Sequence, residues 1–513
     1  MSRIDDIVIV GGGTAGWLGA VYLSTFLNRL NPDAPPVTIR LIESPDIPTI
    51  GVGESTLPIM PALLQQLQID EREFICRTNA TFKCAGRFVN WNQDSSGRPI
   101  TFLTPFNGGE HIGGFPPSYY YQHYGADKAV SMVDAISPNQ CLIDNCKAPR
   151  ELHMQDYQML IGYAYHLDAG LFSQQLKAIA IERGVEHIPD QVEQVVLDER
   201  GFVSALRLRE RGEVAVKFVI DCSGFKGIVI KQALQEPFIS YDKYFLCDRA
   251  YPVMVDYQDP QRIMPATTAT AMSAGWMWNV PLYNRQGTGY VYSSRFIEDS
   301  QAQQELMRAL GNPQPLNQPR VIPFQVGVTR RAWVKNCLGV GLSTGFVEPL
   351  EATAIGMFEK LFRWFSFYYP SAPHAPEAAA QVNRLIRSAQ EETRDFIFMH
   401  YYLSNRDDTP FWRTVRHELE VPDTLQEKLA LWREVLPYPD STMGHQMFDW
   451  ENYLFALQGK GYFTGRRYNL GDCLDKGKWQ QYLHYIEGIK KGMLQRLPSH
   501  YELLTHLRRG VTG

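Results

Sequence analysis

Three features of this 513-residue sequence are placed to do chemistry: a glycine fingerprint, a lysine in apolar surroundings and a pair of acids. Gly11, Gly13 and Gly16 make GxGxxG directly after the strand-like Ile7 to Val10 and before a helical run. In that context each glycine has a mechanical task. Gly11 permits a tight turn, Gly13 lets backbone amides approach a pyrophosphate, and Gly16 allows close packing of helix on strand. The helix N-terminus, with Thr14 and Ala15 in its first turn, adds positive potential. Glu43, at the end of the next strand, can accept hydrogen bonds from ribose hydroxyls; it lies further from Gly16 than the usual ~20 residues, the excess falling in the NPDAPP loop. One such fingerprint predicts one tightly held dinucleotide, FAD rather than NAD. Lys83 sits between Thr81, Phe82 and the run Ala85 to Phe88, mostly apolar or small neighbours that would desolvate an ammonium and lower its pKa. Glu348 and Glu351 compete for an acid–base role in FVEPLEATAIG.

The elements that must position these residues read as an α/β chain. DIVIV, GGGTAG, a helix from Trp17 to about Leu30 and VTIRLIE form a βαβ unit, the seed of a doubly wound, Rossmann-like FAD-binding core. VEQVVLDERGFVSALRLRERGEVAVKFVID reads as a β-meander, and Glu71 to Trp91 as helix followed by strand. The Gly/Pro/aromatic stretch from Thr101 to Tyr124 suits an irregular loop beside a site. From Pro376 onward the text turns helical and aromatic, with Trp412, Trp432, Trp450 and Trp479. The expected organisation is therefore an α/β core over 1–375, with substrate-site segments interleaved at about 80–160, and a mainly helical cap over 376–513 that forms the substrate pocket. A net charge of −5 excludes a polycation built for nucleic acid. No apolar run approaches the ~20 residues of a bilayer span, and no signal peptide is visible. Eight scattered cysteines without a CxxC pair or zinc spacing predict no metal and a reducing, cytoplasmic setting.

Several further segments together resemble the flavin-dependent halogenases, the group that includes the tryptophan halogenases. They are GVGEST from Gly51, ATFKCAGRFVNW around Lys83, YAYHLDAGLF from Tyr163, DCSGFKG from Asp221, GWMWNVPL from Gly275 and GFVEPLEAT from Gly345. Trp276, Trp278 and Pro281 match the family's WxWxIP signature, with Val280 in place of Ile, and Lys83 sits where the family's active lysine sits. The resemblance implies that reduced FAD, O2 and halide generate hypohalous acid, which travels to a separate aromatic pocket, and that Trp276, Trp278 and Pro281 wall off the flavin. Lys83 would hydrogen-bond the hypohalous acid or form a haloamine. Glu351 would be the catalytic carboxylate, leaving Glu348 a structural or flavin-side role. Ile50, Gly51 and Gly53 of the strap and Leu342 would contact the flavin. Thr353 and the backbone amide of Ala354 would hold the halide, with Ala352 replacing the usual Ser and Ala354 the usual Gly, so chloride and bromide both stay open. FADH2 would come from a separate NAD(P)H-dependent flavin reductase, and a homodimer is the assembly the family suggests.

The family's tryptophan enzymes clamp the zwitterion with tyrosines and a glutamate upstream of a Phe-Trp pair that precedes an Asn-Tyr step. Here Asn452 and Tyr453 are kept, but Met447 and Phe448 take the aromatic pair's places and Met443 falls near the glutamate. A buried head group without partners costs several kcal/mol, so free indole or an indole derivative is the expected substrate. His111, Phe115, Phe448, Trp450 and Asn452 are the pocket residues this reading names. Its runner-up is an FAD-dependent aromatic monooxygenase, which would hold the arene beside the flavin and transfer oxygen directly.

Overall fold

Val8 and Val10 alternate with Ile7 and Ile9 along the strand Asp6–Val10, and all four are buried, so this strand must be covered on both faces. In the computed structural model, which describes residues 4–30, 33, 35–47, 53–125, 130–438 and 447–509, it lies inside a six-stranded sheet. The order is Trp333–Val334, Cys337–Gly339, Phe218–Asp221, Asp6–Val10, Thr38–Glu43, Glu186–Pro189. All pairings are parallel except that of Trp333–Val334. Ile7 and Ile9 pack into a core with the helices Thr14–Leu23, Ala169–Glu182 and Ala354–Phe367. Val8 and Val10 instead meet Val203, Leu206 and Leu208 of the meander Val192–Leu197, Val203–Leu208, Gly212–Ala215. The meander thus covers the sheet's second face, where helices cover the first. The fingerprint helix Thr14–Leu23 continues as a wide π-type turn over Ser24–Arg29.

A seven-stranded sheet carries the second half of the site. Its order is Ile322–Pro323, Arg249–Val255, Gln286–Tyr292, Gly275–Pro281, Ala266–Ala271, Ala85–Gln93, Pro99–Pro105. Beside it, Thr81–Lys83 and Gly53–Ser55 both pair antiparallel with Ala164–Asp168.

The stretch expected as loop from Thr101 to Tyr124 contains more order than its glycines suggest. Pro99–Pro105 is a strand and Pro117–Tyr124 a helix with Pro117 in its first turn, a position where proline's fixed φ favours helix. Tyr119, Tyr120 and Tyr121 stay buried with their hydroxyls on backbone carbonyls: Tyr119 donates to Leu436 at 3.3 Å, Tyr120 to Ile112 at 3.2 Å and Tyr121 to Val130 at 2.7 Å.

Helices Pro376–Tyr402, Pro410–His417, Asp423–Glu434, Trp450–Gly459, Lys476–Arg496 and His500–Arg508 make up the C-terminal third. Trp412, Trp432, Tyr453 and Trp479 share one apolar cluster with Phe88, Trp91 and Tyr119, while Leu503 and Leu504 join the core under the fingerprint helix. This third therefore packs as part of the cores built by residues before 376. Among the described residues no helix is long and apolar enough to cross a membrane.

Candidate active site

Three chain segments converge at the carboxyl edge of the parallel strands. Gly11, at φ +115°, presses so closely on Cys222 that an added Cβ would lie 2.2 Å from its carbonyl oxygen, and one on Gly16 would lie 1.9 Å from the Gly11 oxygen. Gly341, which opens the turn holding half-buried Leu342, would place a Cβ 3.2 Å from Ala15. Gly13 differs from these, since a Cβ there meets no atom within 4 Å. That open cradle, facing the first-turn amides of Thr14, Ala15 and Gly16 that no helix carbonyl satisfies, fits a pyrophosphate. Glu43 stands at the strand end beside it, held by Lys177 at 2.7 Å, with His187 Nε2 2.9 Å away but without an aligned hydrogen bond. The residues present therefore suit a dinucleotide. Gly13 has extended backbone, φ −80° and ψ −175°, which any residue adopts. Gly13→Val is accordingly expected to leave the melting temperature within about 2 °C of the parent while weakening FAD binding by about tenfold or more, read by differential scanning fluorimetry and flavin titration.

The lysine is set by its strand. Thr81 donates to the Pro281 carbonyl at 2.6 Å, and the Phe82 amide donates to His500 Nε2 at 3.0 Å. His500 is buried and held neutral, its pKa pushed down to about 4 by desolvation, so it remains an acceptor at neutral pH. Lys83 itself is 3% exposed. Its Nζ donates to the Thr56 carbonyl at 2.9 Å and lies 5.5 Å from the centre of the Phe106 ring. Burial pulls its pKa down to about 8, with the nearby Glu351 carboxylate opposing the shift. A neutral amine is the form that accepts an electrophile, and below pH 8 its fraction grows about tenfold per pH unit. A step that uses the Lys83 amine is thus expected to quicken from pH 7 to 9 with a midpoint near 8 in a stopped-flow pH profile.

Glu351 lines the same cavity as Lys83, a space of about 380 Å³ walled by Phe106, Phe396, Met447 and Phe448. Phe396 and Phe448 stack on each other at 3.9 Å, closing the gap between them and giving the cavity an apolar wall against which a flat ring can lie. Behind Glu351 stands His400, fully buried and stacked on Phe88 at 4.5 Å. Its Nε2 lies 2.8 Å from Glu351 Oε1, an off-axis approach that leaves both atoms without an aligned hydrogen bond. Burial lowers the His400 pKa and keeps the ring neutral. Ala352, at φ +58°, holds left-handed backbone strain of ~1–2 kcal/mol between Glu351 and the helix that starts at Ala354. Thr353 is buried at that helix's N-terminal cap, and Ala354 is exposed.

Glu348 points elsewhere. It is fully buried, accepts from Trp276 Nε1 at 2.9 Å and from the Tyr401 hydroxyl, and desolvation pushes its pKa up to about 7. Trp276 is therefore packed toward the helix Pro376–Tyr402, half-buried Trp278 stands 6.3 Å from it, and Pro281 is buried where the strand meets Thr81. None of the three lines the cavity. Gly53 packs against Val280 and Gly287, whereas Ile50, Gly51 and Met443 lie outside the described residues. Of the five pocket residues named from sequence, Phe448 and Asn452 line the cavity; the Asn452 side chain is used to cap its own helix through the Asp449 amide at 2.9 Å. His111 is exposed, Phe115 half-buried, and Trp450 lies against Tyr438; none of the three lines the cavity. Sequence reasoning missed Phe106, Phe396 and His400. The last two are four residues apart on one helix face, a spacing that was readable but carried no mark of function.

Comparison with known proteins agrees with this geometry. The family model described as tryptophan halogenase matches residues 6–476. Tryptophan 7-halogenase RebH of Lentzea aerocolonigenes is 37% identical over 448 residues, 84% of this chain and 82% of that protein. The crystal structure of a tryptophan halogenase from Shewanella frigidimarina superposes with a TM-score of 0.92 at 32% identity, covering 99% of this chain and 98% of the other. BrvH, a flavin-dependent halogenase from Brevundimonas sp. BAL3, gives 0.87 at 34% identity over 98% and 99%. Enzymes of this group use FADH2 and halide, act on an aromatic substrate and rely on a separate flavin reductase. The chain belongs to the tryptophan halogenase family and is a flavin-dependent halogenase.

Proposed function

We propose that the enzyme halogenates free indole or an indole derivative that lacks the amino-acid head group. The observation that carries this reading is the shared cavity, in which the Lys83 amine and the Glu351 carboxylate border the same space as the apolar wall made by the stacked Phe396 and Phe448. Reduced FAD, when bound at the fingerprint, supplies hypohalous acid from O2 and halide. Glu43, Ile50, Gly51, Gly53 and Leu342 are assigned to holding it, and Trp276, Trp278 and Pro281 to separating it from the arene. Thr353 and the Ala354 amide hold the halide at a helix N-terminus. Lys83 takes up the hypohalous acid as a hydrogen-bonded partner or as a haloamine and presents halogen to a ring carbon. In the hydrogen-bonded route the carbon–halogen bond forms as the oxygen–halogen bond breaks, and the oxygen leaves as water with a proton from the Lys83 ammonium. In the haloamine route water leaves when the nitrogen–halogen bond forms, and the Lys83 nitrogen regains a proton when that bond breaks. In both, the displaced ring proton passes to Glu351. Met447 and Phe448, in the places of the aromatic pair, and the missing glutamate speak against a zwitterion clamp.

An NAD(P)H-dependent reductase as the FADH2 source, a homodimer and a cytoplasmic setting complete the proposal. All eight cysteines are free thiols, in keeping with that compartment. The substrate assignment is tested by competing indole against tryptophan in one reaction with reductase, NADH, FAD, O2 and halide. A kcat/KM at least about tenfold higher for indole is expected; parity or preference for tryptophan would overturn it.

A further inference from the structure

The cavity that holds Lys83 and Glu351 has a second, charged end. One face of the helix Ala354–Phe367 runs along it through Gly356, Glu359, Lys360 and Arg363, spaced so that side chains stack on one side, and Asp449 completes the rim. Gly356 keeps the helix close to Met447, whose Cε would lie 3.0 Å from an added Cβ.

Three of the four rim charges are committed. Glu359, 3% exposed, lies 3.1 Å from Arg363 one turn later. Asp449 accepts the Asn452 amide at 3.1 Å and caps the helix Trp450–Gly459. Lys360 is the exception: among the described residues no carboxylate lies within ion-pair distance of its ammonium, and its contact is the face of Trp364, 5.8 Å from the ring centre. It is nonetheless half-buried, and desolvation together with Arg363 lowers its pKa against the pull of Glu359 and Glu392. A partly desolvated cation that feels nearby carboxylates but makes no direct ion pair gains when an anion meets it. From Gly356 to Lys360, both on the cavity wall, the helix rises about 6 Å at ~1.5 Å per residue, a length on the scale of a short side arm.

We infer that Lys360 anchors a carboxylate arm on the arene, so that the substrate class is an electron-rich ring bearing a short acidic side chain and no ammonium. This rests on the arene reading above and narrows it. Among the described residues the rim favours a carboxylate over an ammonium, because Glu359 faces Arg363 at 3.1 Å and Asp449 spends Oδ1 on its helix cap, whereas Lys360 has no ion-pair partner.

Isothermal titration calorimetry of the full-length protein with indole, indole-3-acetate, tryptamine and tryptophan tests the assignment. Indole-3-acetate is expected to bind about tenfold more tightly than indole, with tryptamine no better than indole. Lys360→Met should bring indole and indole-3-acetate within about threefold of each other, and Lys360→Arg should keep most of the preference, since it keeps the charge. Equal affinity of the parent for the two ligands, or a preference that Lys360→Met retains, would overturn the proposal. Tighter binding of tryptophan than of indole-3-acetate would overturn the exclusion of an ammonium. The same four compounds run as substrates separate the two claims: binding preference without any halogenated product would count against arene halogenation and leave Lys360 as an anion anchor.

Discussion

Lys83→Ala is expected to lower arene halogenation by about 10³ or more while flavin oxidation continues at the parent rate. The magnitude follows from position. A positioned side chain that transfers or orients the reacting group contributes ~10²–10⁴, and Lys83 supplies the amine in a cavity where its ammonium is desolvated and Glu351 is the nearby charge. Loss of the side chain removes a hydrogen bond to the Thr56 carbonyl but leaves the strand fixed, because Thr81 and Phe82 are tied by their own bonds to Pro281 and His500. Folding should therefore survive. The comparison of product formation with flavin oxidation decides the result: parallel loss of both would place Lys83 in the flavin half-reaction and contradict the role proposed for it in halogen transfer.

Glu351→Gln is expected to slow halogenation by about 10² or more. The amide nearly matches the carboxylate in shape, so it preserves packing against His400, yet it cannot take the ring proton. Glu348→Gln is the informative partner. Its carboxylate serves the Trp276 and Tyr401 hydrogen bonds inside the core, so that variant should change thermal stability more than the chemical step. Single-turnover product formation with pre-reduced flavin measures the chemical step of both variants and thermal melting their stability, and a Glu351→Gln rate equal to the parent's would move the acid–base role elsewhere.

How much of this was legible depended on distance along the chain. The fingerprint was local: its glycines stand within one turn, and each has a steric task that a Cβ would defeat or, at Gly13, a space that a ligand would fill. Covering the sheet's two faces was likewise encoded in the alternation of Ile7, Val8, Ile9 and Val10. The cavity was not. Lys83 comes from a three-residue strand, Glu351 from a turn beside a strained Ala352, and Phe106, Phe396 and Phe448 from three further segments, so no periodicity in any one of them announces a shared slot. The helix Pro117–Tyr124 was hidden by its flanking glycines and prolines, although Pro117 marks its start. His400 reads as one more buried aromatic on an amphipathic helix until the fold sets it 2.8 Å from Glu351.

The chemical outcome is tested most directly by mass spectrometry of the product formed from indole with enzyme, FAD, flavin reductase, NADH, O2 and either chloride or bromide. The account predicts a product that requires halide, bears the chlorine or bromine isotope pattern, and disappears in Lys83→Ala while NADH is still consumed. A hydroxylated product formed without halide would contradict it, since oxygen would then pass from flavin to arene with no part for the lysine.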